Sequence, residues 1–247
     1  PIEGLDRPYV FVRGNHDSAR TEDAVRRYRN AVVLDDAVTE VAGLVVAGIG
    51  DPVSAPDGTA SPASDRDAQA RAGATLAATV RDWDAEHPER PVDLVAVHEP
   101  AATGPLLGTA PLVLAGHLHR RDVVRDPSGT LFMVQGSTGG AGFTAGGFAR
   151  IRNGQPLPLE ATLVYLRRGG DRHGEIIGYD EVTVGGYGMA SVSVDRQIVG
   201  DPEAPWPPRA TPSPGSSPAI PSPGPSSAGT VSESPTAAPG VPSFGTG

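Results

Sequence analysis

Short apolar runs that stop abruptly at polar residues set the rhythm of this chain. Residues 9–12, 92–97 and 111–115 are apolar, strand-like runs, the first too short for a helix and rich in β-branched and aromatic residues, and they predict buried strands. The first run stops at Gly14-Asn15-His16-Asp17, the second at His98-Glu99-Pro100 and the third at Gly116-His117-Leu118-His119. Further strands are predicted over 31–34, in a hairpin of 38–41 and 44–49 around Ala42-Gly43, and in a hairpin of 122–124 and 130–134 around Asp126-Pro127-Ser128-Gly129. Closing strands are predicted over 163–166, 175–184 and 189–194, with His173 in the turn between the first two. Two stretches are helical instead. Residues 21–29 begin with Thr21-Glu22-Asp23 and end with Arg26, Arg27 and Arg29, a charge order that suits a helix dipole. Residues 65–83 are Ala-rich, with Ala72, Leu76, Val80 and Trp83 on one stripe. Strands mixed with helices in this way predict an α/β domain.

The polar strand ends carry the candidate chemistry. In open α/β sheets, sites gather beyond the carboxyl ends of strands. Neutral imidazole is the commonest metal ligand, and four of the six histidines stand just past predicted strand ends. His117 and His119 are two residues apart, so in extended backbone they would point the same way. A lone histidine is usually an ordinary surface or core residue, and Gly14-Asn15-His16-Asp17 alone reads equally as a polar turn. Four histidines at equivalent positions outweigh those readings. Asp17 is read as orienting a loop or capping the next helix, Asp51 as a turn residue, and His87 as a plain loop residue. The three arginines are read as a solvated helix face. The glycine-rich run 136–142 could bring N–H groups to a phosphate or could be a connector; it lacks the ending of a P-loop.

Composition narrows the classes. Of 247 residues only 38% are hydrophobic and 5% aromatic, while Gly (32) and Pro (26) are abundant. Much of that excess lies in 201–247, a Pro/Ser/Gly-rich tail expected to be disordered because it cannot bury enough apolar surface. The loop 53–64 has similar composition. The expected organisation is therefore a domain over 1–200 and a tail over 201–247. A net charge of −9 argues against a nucleic-acid-binding surface. The absence of cysteine excludes disulfides and thiolate metal sites. No apolar stretch is long enough for a membrane span, and no signal peptide is visible at Pro1.

In order and spacing, Gly14-Asn15-His16-Asp17, the isolated His98 and Gly116-His117-Leu118-His119 resemble the last three of the five motifs of the calcineurin-like metallophosphoesterase superfamily. The first two, D-x-H and G-D-x-x-D, have no match. The resemblance implies a chain lacking several tens of N-terminal residues, which could themselves have carried a membrane anchor. It implies a four-layer αββα sandwich, incomplete at its N-terminus. It also implies a hydrolase acting on phosphate esters, with monoesters or diesters as substrate and two divalent ions (Mn, Fe or Zn) in the complete protein. On that resemblance Asn15, His98 and His117 would bind one ion and His119 would help bind the other. His16 would stabilise charge on the phosphoryl group and protonate the leaving oxygen, as its near-neutral pKa suits. The residues 1–247 alone are then expected to bind at most one ion and to be inactive. The alternative is a non-catalytic metal-binding or scaffold protein on a degenerate phosphoesterase fold.

Overall fold

Val45, Ala47, Val95, Val97, Val113 and Ala115 are buried because alternate side chains of three neighbouring segments face the same helix. The computed structural model describes residues 2–53, 65–139, 149–150, 152–154, 157–167, 174–185 and 190–199. The expectations for 54–64, 140–142, His173, Met189 and 201–247 lie outside the described residues. In chain order the elements are β1 (Tyr9–Phe11), α1 (Ala19–Arg26), β2 (Ala31–Val33), β3 (Ala37–Val41), β4 (Leu44–Gly48), α2 (Arg66–Glu86), β5 (Leu94–Ala96), β6 (Leu112–Ala115), β7 (Asp122–Arg125), β8 (Leu131–Val134), β9 (Leu159–Leu166), β10 (Ile176–Val184) and β11 (Val192–Ile198). The fold is mixed α/β.

The central sheet has six strands in the order β3-β4-β5-β6-β8-β7. β4, β5, β6 and β8 run parallel, with Gly48 beside Ala96, Ala96 beside Leu114, and Ala115 beside Val134. β3 and β7 close the two edges as antiparallel hairpin partners. Side chains alternate between faces, so one face presents Val45, Ala47, Val95, Val97, Val113 and Ala115 to Leu76, Ala77 and Val80 of α2. Burying each Val or Leu here contributes about 1.5–3 kcal/mol. The other face meets two smaller sheets. Parallel β1 and β2 lay Val10, Val12 and Val32 against Leu44 and Val46. The antiparallel β11-β10-β9 sheet lays Val164, Leu166, Ile176 and Tyr179 against Leu112, Leu131 and Met133.

Local chemistry explains the element ends. α1 starts at Ala19 rather than at the predicted Thr21, because Ser18 is the N-cap and Thr21 closes a capping box with it. α2 is capped by Asp65, whose carboxylate accepts from Ala68 N at 3.0 Å, and it ends at His87, which stacks on Trp83. Gly73 lets α2 approach the 3-10 turn Pro100–Ala102, since a Cβ there would overlap the Ala102 carbonyl. The hairpin turn falls at Ala42-Gly43 as predicted, both at positive φ (53° and 88°). β9 begins at Leu159, four residues before the predicted start. Its added residues keep the period of two, with Glu160 and Thr162 half-buried and Leu159 and Ala161 exposed. Among the described residues no helix is long and apolar enough to cross a membrane.

Candidate metal centre

Four polar side chains reach one edge of the structure because their strands end there. β1 runs out into Asn15, β4 into Asp51, β5 into His98 and β6 into His117. Backbone bonds continue past the strand ends and hold these segments side by side. Gly116 N donates to His98 O at 2.8 Å, and Asp51 N donates to Arg13 O at 2.8 Å. Gly14 is needed here for space, because a Cβ would stand 2.9 Å from the His98 ring. Asp17 acts locally, as expected: its Oδ2 accepts from Gly14 N at 2.9 Å and tightens the turn that presents Asn15.

Three donor atoms converge. His98 Nε2 lies 2.9 Å from Asn15 Oδ1 and 3.3 Å from His117 Nδ1. A cation about 2.1 Å from each of three donors would separate neighbouring donors by about 3.0 Å in octahedral or about 3.4 Å in tetrahedral geometry. The observed spacings match such edges, so the donor set fits a divalent ion of the kind that accepts nitrogen and oxygen. Asn15 is buried at 5% exposure, so its amide is held rather than free to swing. Among the described residues no three His, Cys, Asp or Glu side chains are grouped to hold a metal. The convergent set is two imidazoles and an amide oxygen.

Electrostatics disfavour a proton on His98. Burial, then the neighbouring His117 imidazole, pushes His98 down to about 4, although the Asp51 and Asp17 charges pull the other way. His98 is therefore neutral and ligand-competent across the physiological range. His119 is also lowered, first by burial and then by His117 and His16, which places the four histidines in one electrostatic neighbourhood.

The structure corrects one expectation about the pair His117 and His119. They do not lie in extended backbone: φ is 65° and 53°, in the left-handed region. Strand alternation stops at Ala115, and Leu118 N turns back to donate to Gly116 O at 2.7 Å. Left-handed backbone costs about 1–2 kcal/mol per non-glycine residue, so tertiary contacts hold this loop against its local preference. His16 is solvent-exposed, and its charge is felt at His119. Arg27 and Arg29 are solvent-exposed as expected, and Arg26 pairs with Glu22.

Two acidic residues of this edge are not evident from sequence spacing. Glu99, 7% exposed, lies 3.2 Å from His117 Nε2 through its Oε2. A carboxylate there keeps the proton on Nε2 and leaves the Nδ1 lone pair facing His98. Its position directly after His98 was the available clue. Asp51, read as a turn residue, does accept from Val53 N at 2.8 Å, but it is also buried at 3% exposure. A separate open cleft of about 630 Å³ lies among Glu3–Pro8, Arg29 and Glu40, at the amino end of β1, on the far side from these histidines. A comparison with protein-family models finds no match, and a search of curated proteins returns none of significant similarity.

Proposed function

We propose that this chain is part of a metal-dependent phosphoesterase of the calcineurin-like type. The observation that carries the reading is the convergence of Asn15 Oδ1, His98 Nε2 and His117 Nδ1 at the carboxyl ends of three strands. The layering of α2, the six-stranded sheet and the smaller sheets supports it, as does the crossover helix α1 between parallel β1 and β2. A divalent ion held by these donors would polarise a phosphoryl oxygen and lower the pKa of bound water. Asn15, His98 and His117 hold that ion, with His117 kept in the right tautomer by Glu99. His119, on the same loop, would help hold a second ion. His16, solvent-exposed, stabilises charge on an incoming phosphate ester and donates a proton to its leaving oxygen.

Two of the five motifs have no match in these 247 residues, so the chain is expected to hold one ion and to turn over aryl phosphates negligibly by itself. The test is a titration of the chelator-treated chain with Mn²⁺ or Co²⁺, followed by phosphate binding to the loaded and metal-free forms. One ion per chain and metal-dependent phosphate binding, both lost in His117→Ala, are expected. A chain that binds no ion, or that binds phosphate equally without one, would falsify the reading.

A further inference from the structure

One side chain ties the loop that carries His117 and His119 to the neighbouring sheet. The two histidines sit in left-handed backbone, at φ 65° and 53°. Leu118 is 43% exposed and Arg120 is exposed, so neither buries its side chain to offset that strain. Arg121, the last residue before β7, differs: its side chain is only 10% exposed. It reaches across to the β11-β10-β9 sheet. Nη2 donates to Ala161 O and to Val182 O, both at 2.9 Å, and Nη1 donates to Thr183 Oγ1 at 3.2 Å. Ala161 and Val182 are direct partners in the β9–β10 ladder, so one guanidinium bridges both strands.

Glu160 completes the attachment. Its Oε1 lies 3.8 Å from Arg121 Nη1. Gly136, past the end of β8, packs so closely on Glu160 that a Cβ there would overlap the carboxylate. Gln135 N, one residue earlier, donates to Ala115 O at 2.7 Å, at the base of the histidine loop. Both ends of the loop are therefore tied to the same place, Arg121 directly and Ala115 through Gln135-Gly136. As a means of joining two sheets, a buried guanidinium is unfavourable. Its Nε is buried without a hydrogen-bond partner among the described residues, which adds to the cost. Apolar side chains of similar volume in place of a buried ion pair are often neutral or stabilising. What the planar fork adds is direction, because its donors meet several acceptors in one fixed geometry.

We propose that Arg121 is a positioning residue of the metal centre. By fastening the loop to β9 and β10, it holds the left-handed turn that brings His117 Nδ1 to 3.3 Å from His98 Nε2. This rests on the metal reading given above. Arg121 acts through the backbone from four residues beyond His117, and its guanidinium has no lone pair to offer an ion. The β11-β10-β9 sheet then serves as the platform against which the loop is set, with Glu160 and Gly136 as part of the same support.

Co²⁺ binding to the chelator-treated chain, followed by its visible absorption, tests the proposal without relying on turnover. Arg121→Met keeps the bulk and removes the hydrogen bonds, and Arg121→Lys keeps the charge without the fork. Asp180→Asn weakens the same sheet at a carboxylate paired with Arg196 instead. Far-UV spectra and melting midpoints of the metal-free forms report the fold. Arg121→Met is expected to weaken Co²⁺ binding about tenfold and to change the absorption envelope. Arg121→Lys should lie between it and the unaltered chain, and Asp180→Asn should bind as the unaltered chain does, whatever its melting midpoint. Unchanged Co²⁺ affinity and envelope in Arg121→Met overturn the proposal. An equal loss in Asp180→Asn also overturns it, because the effect is then one of sheet stability. If Arg121→Met does not fold, Arg121→Lys decides by itself: weaker binding supports the proposal and unchanged binding overturns it. If His98→Ala abolishes binding while neither Arg121 variant weakens it, the metal reading stands and this inference alone fails. If the unaltered chain binds no Co²⁺, both fall.

Discussion

The molecule contains two polar clusters built on opposite principles. On the open face of the β11-β10-β9 sheet, Asp180 accepts from Arg196 Nε and Nη2, both at 2.7 Å, and from the Tyr165 hydroxyl at 2.6 Å. Opposite charges meet in a two-pronged pair, and each oxygen of the carboxylate is used. The Arg196 hydrogen bonds, then that of Tyr165, hold Asp180 at about 2, and the pair pushes Arg196 up. At the carboxyl edge of β4, β5 and β6 the arrangement is reversed. Imidazoles face one another, and His98 is driven down. The first cluster is complete without a ligand and holds strands together. The second leaves the Asp51 Oδ2 atom without a hydrogen-bond partner among the described residues.

Acid should separate the two clusters most clearly. The metal-free folded chain holds His98 at about 4 against an unfolded value of 6.5, so the unfolded state takes up the proton first. Stability is therefore full above pH 6.5 and declines as pH falls towards 4, by about 3 kcal/mol at the limit. Denaturant unfolding across that window should show the decline, and His98→Gln should remove it. Asp180 behaves oppositely in origin and at lower pH. Its contribution is present above pH 3.8 and is lost as pH falls towards 2. Asp180→Asn should lower the melting midpoint at neutral pH and speed amide exchange in β9–β11 while leaving Co²⁺ affinity unchanged. A loss of metal affinity in Asp180→Asn would break the distinction.

A smaller effect should come from the helix that backs the site. Gly73→Ala would drive a methyl group into the Ala102 carbonyl, next to the turn that carries Glu99. Overpacking of this kind costs about 1–3 kcal/mol. The variant should also bind metal more weakly, because displacing Pro100–Ala102 moves the carboxylate that orients His117. Unfolding curves with Co²⁺ titrations check both, and destabilisation with unaltered metal affinity would show that Glu99 is held independently of α2.

The smallest expected change lies away from both clusters. Ala42 occupies the first turn position of the β3–β4 hairpin at φ 53°, where asparagine is better suited. Ala42→Asn should stabilise the chain by about 0.4–1 kcal/mol with metal affinity untouched. A fall in melting midpoint would show that the turn tolerates alanine for a packing reason.

What the sequence determined by itself is local. Runs at 9–12, 92–97 and 111–115 became strands because they are short and apolar, and the turns at Ala42-Gly43 and Asp126-Pro127-Ser128-Gly129 appeared where their residues demanded. Histidines that follow buried strands were bound to emerge at strand ends, so His98 and His117 were legible before any fold was known. Tertiary structure decided the rest. Asp51 and His98 lie 47 positions apart in the chain and share an edge only because β4 and β5 pair in parallel with Gly48 beside Ala96. The left-handed backbone at His117 and His119 overrides the local preference for extension, since contacts around the loop outweigh its strain. Whether a turn carboxylate such as Asp51 is exposed or buried depends on its neighbours in space, and burial does not exist until the strands are assembled.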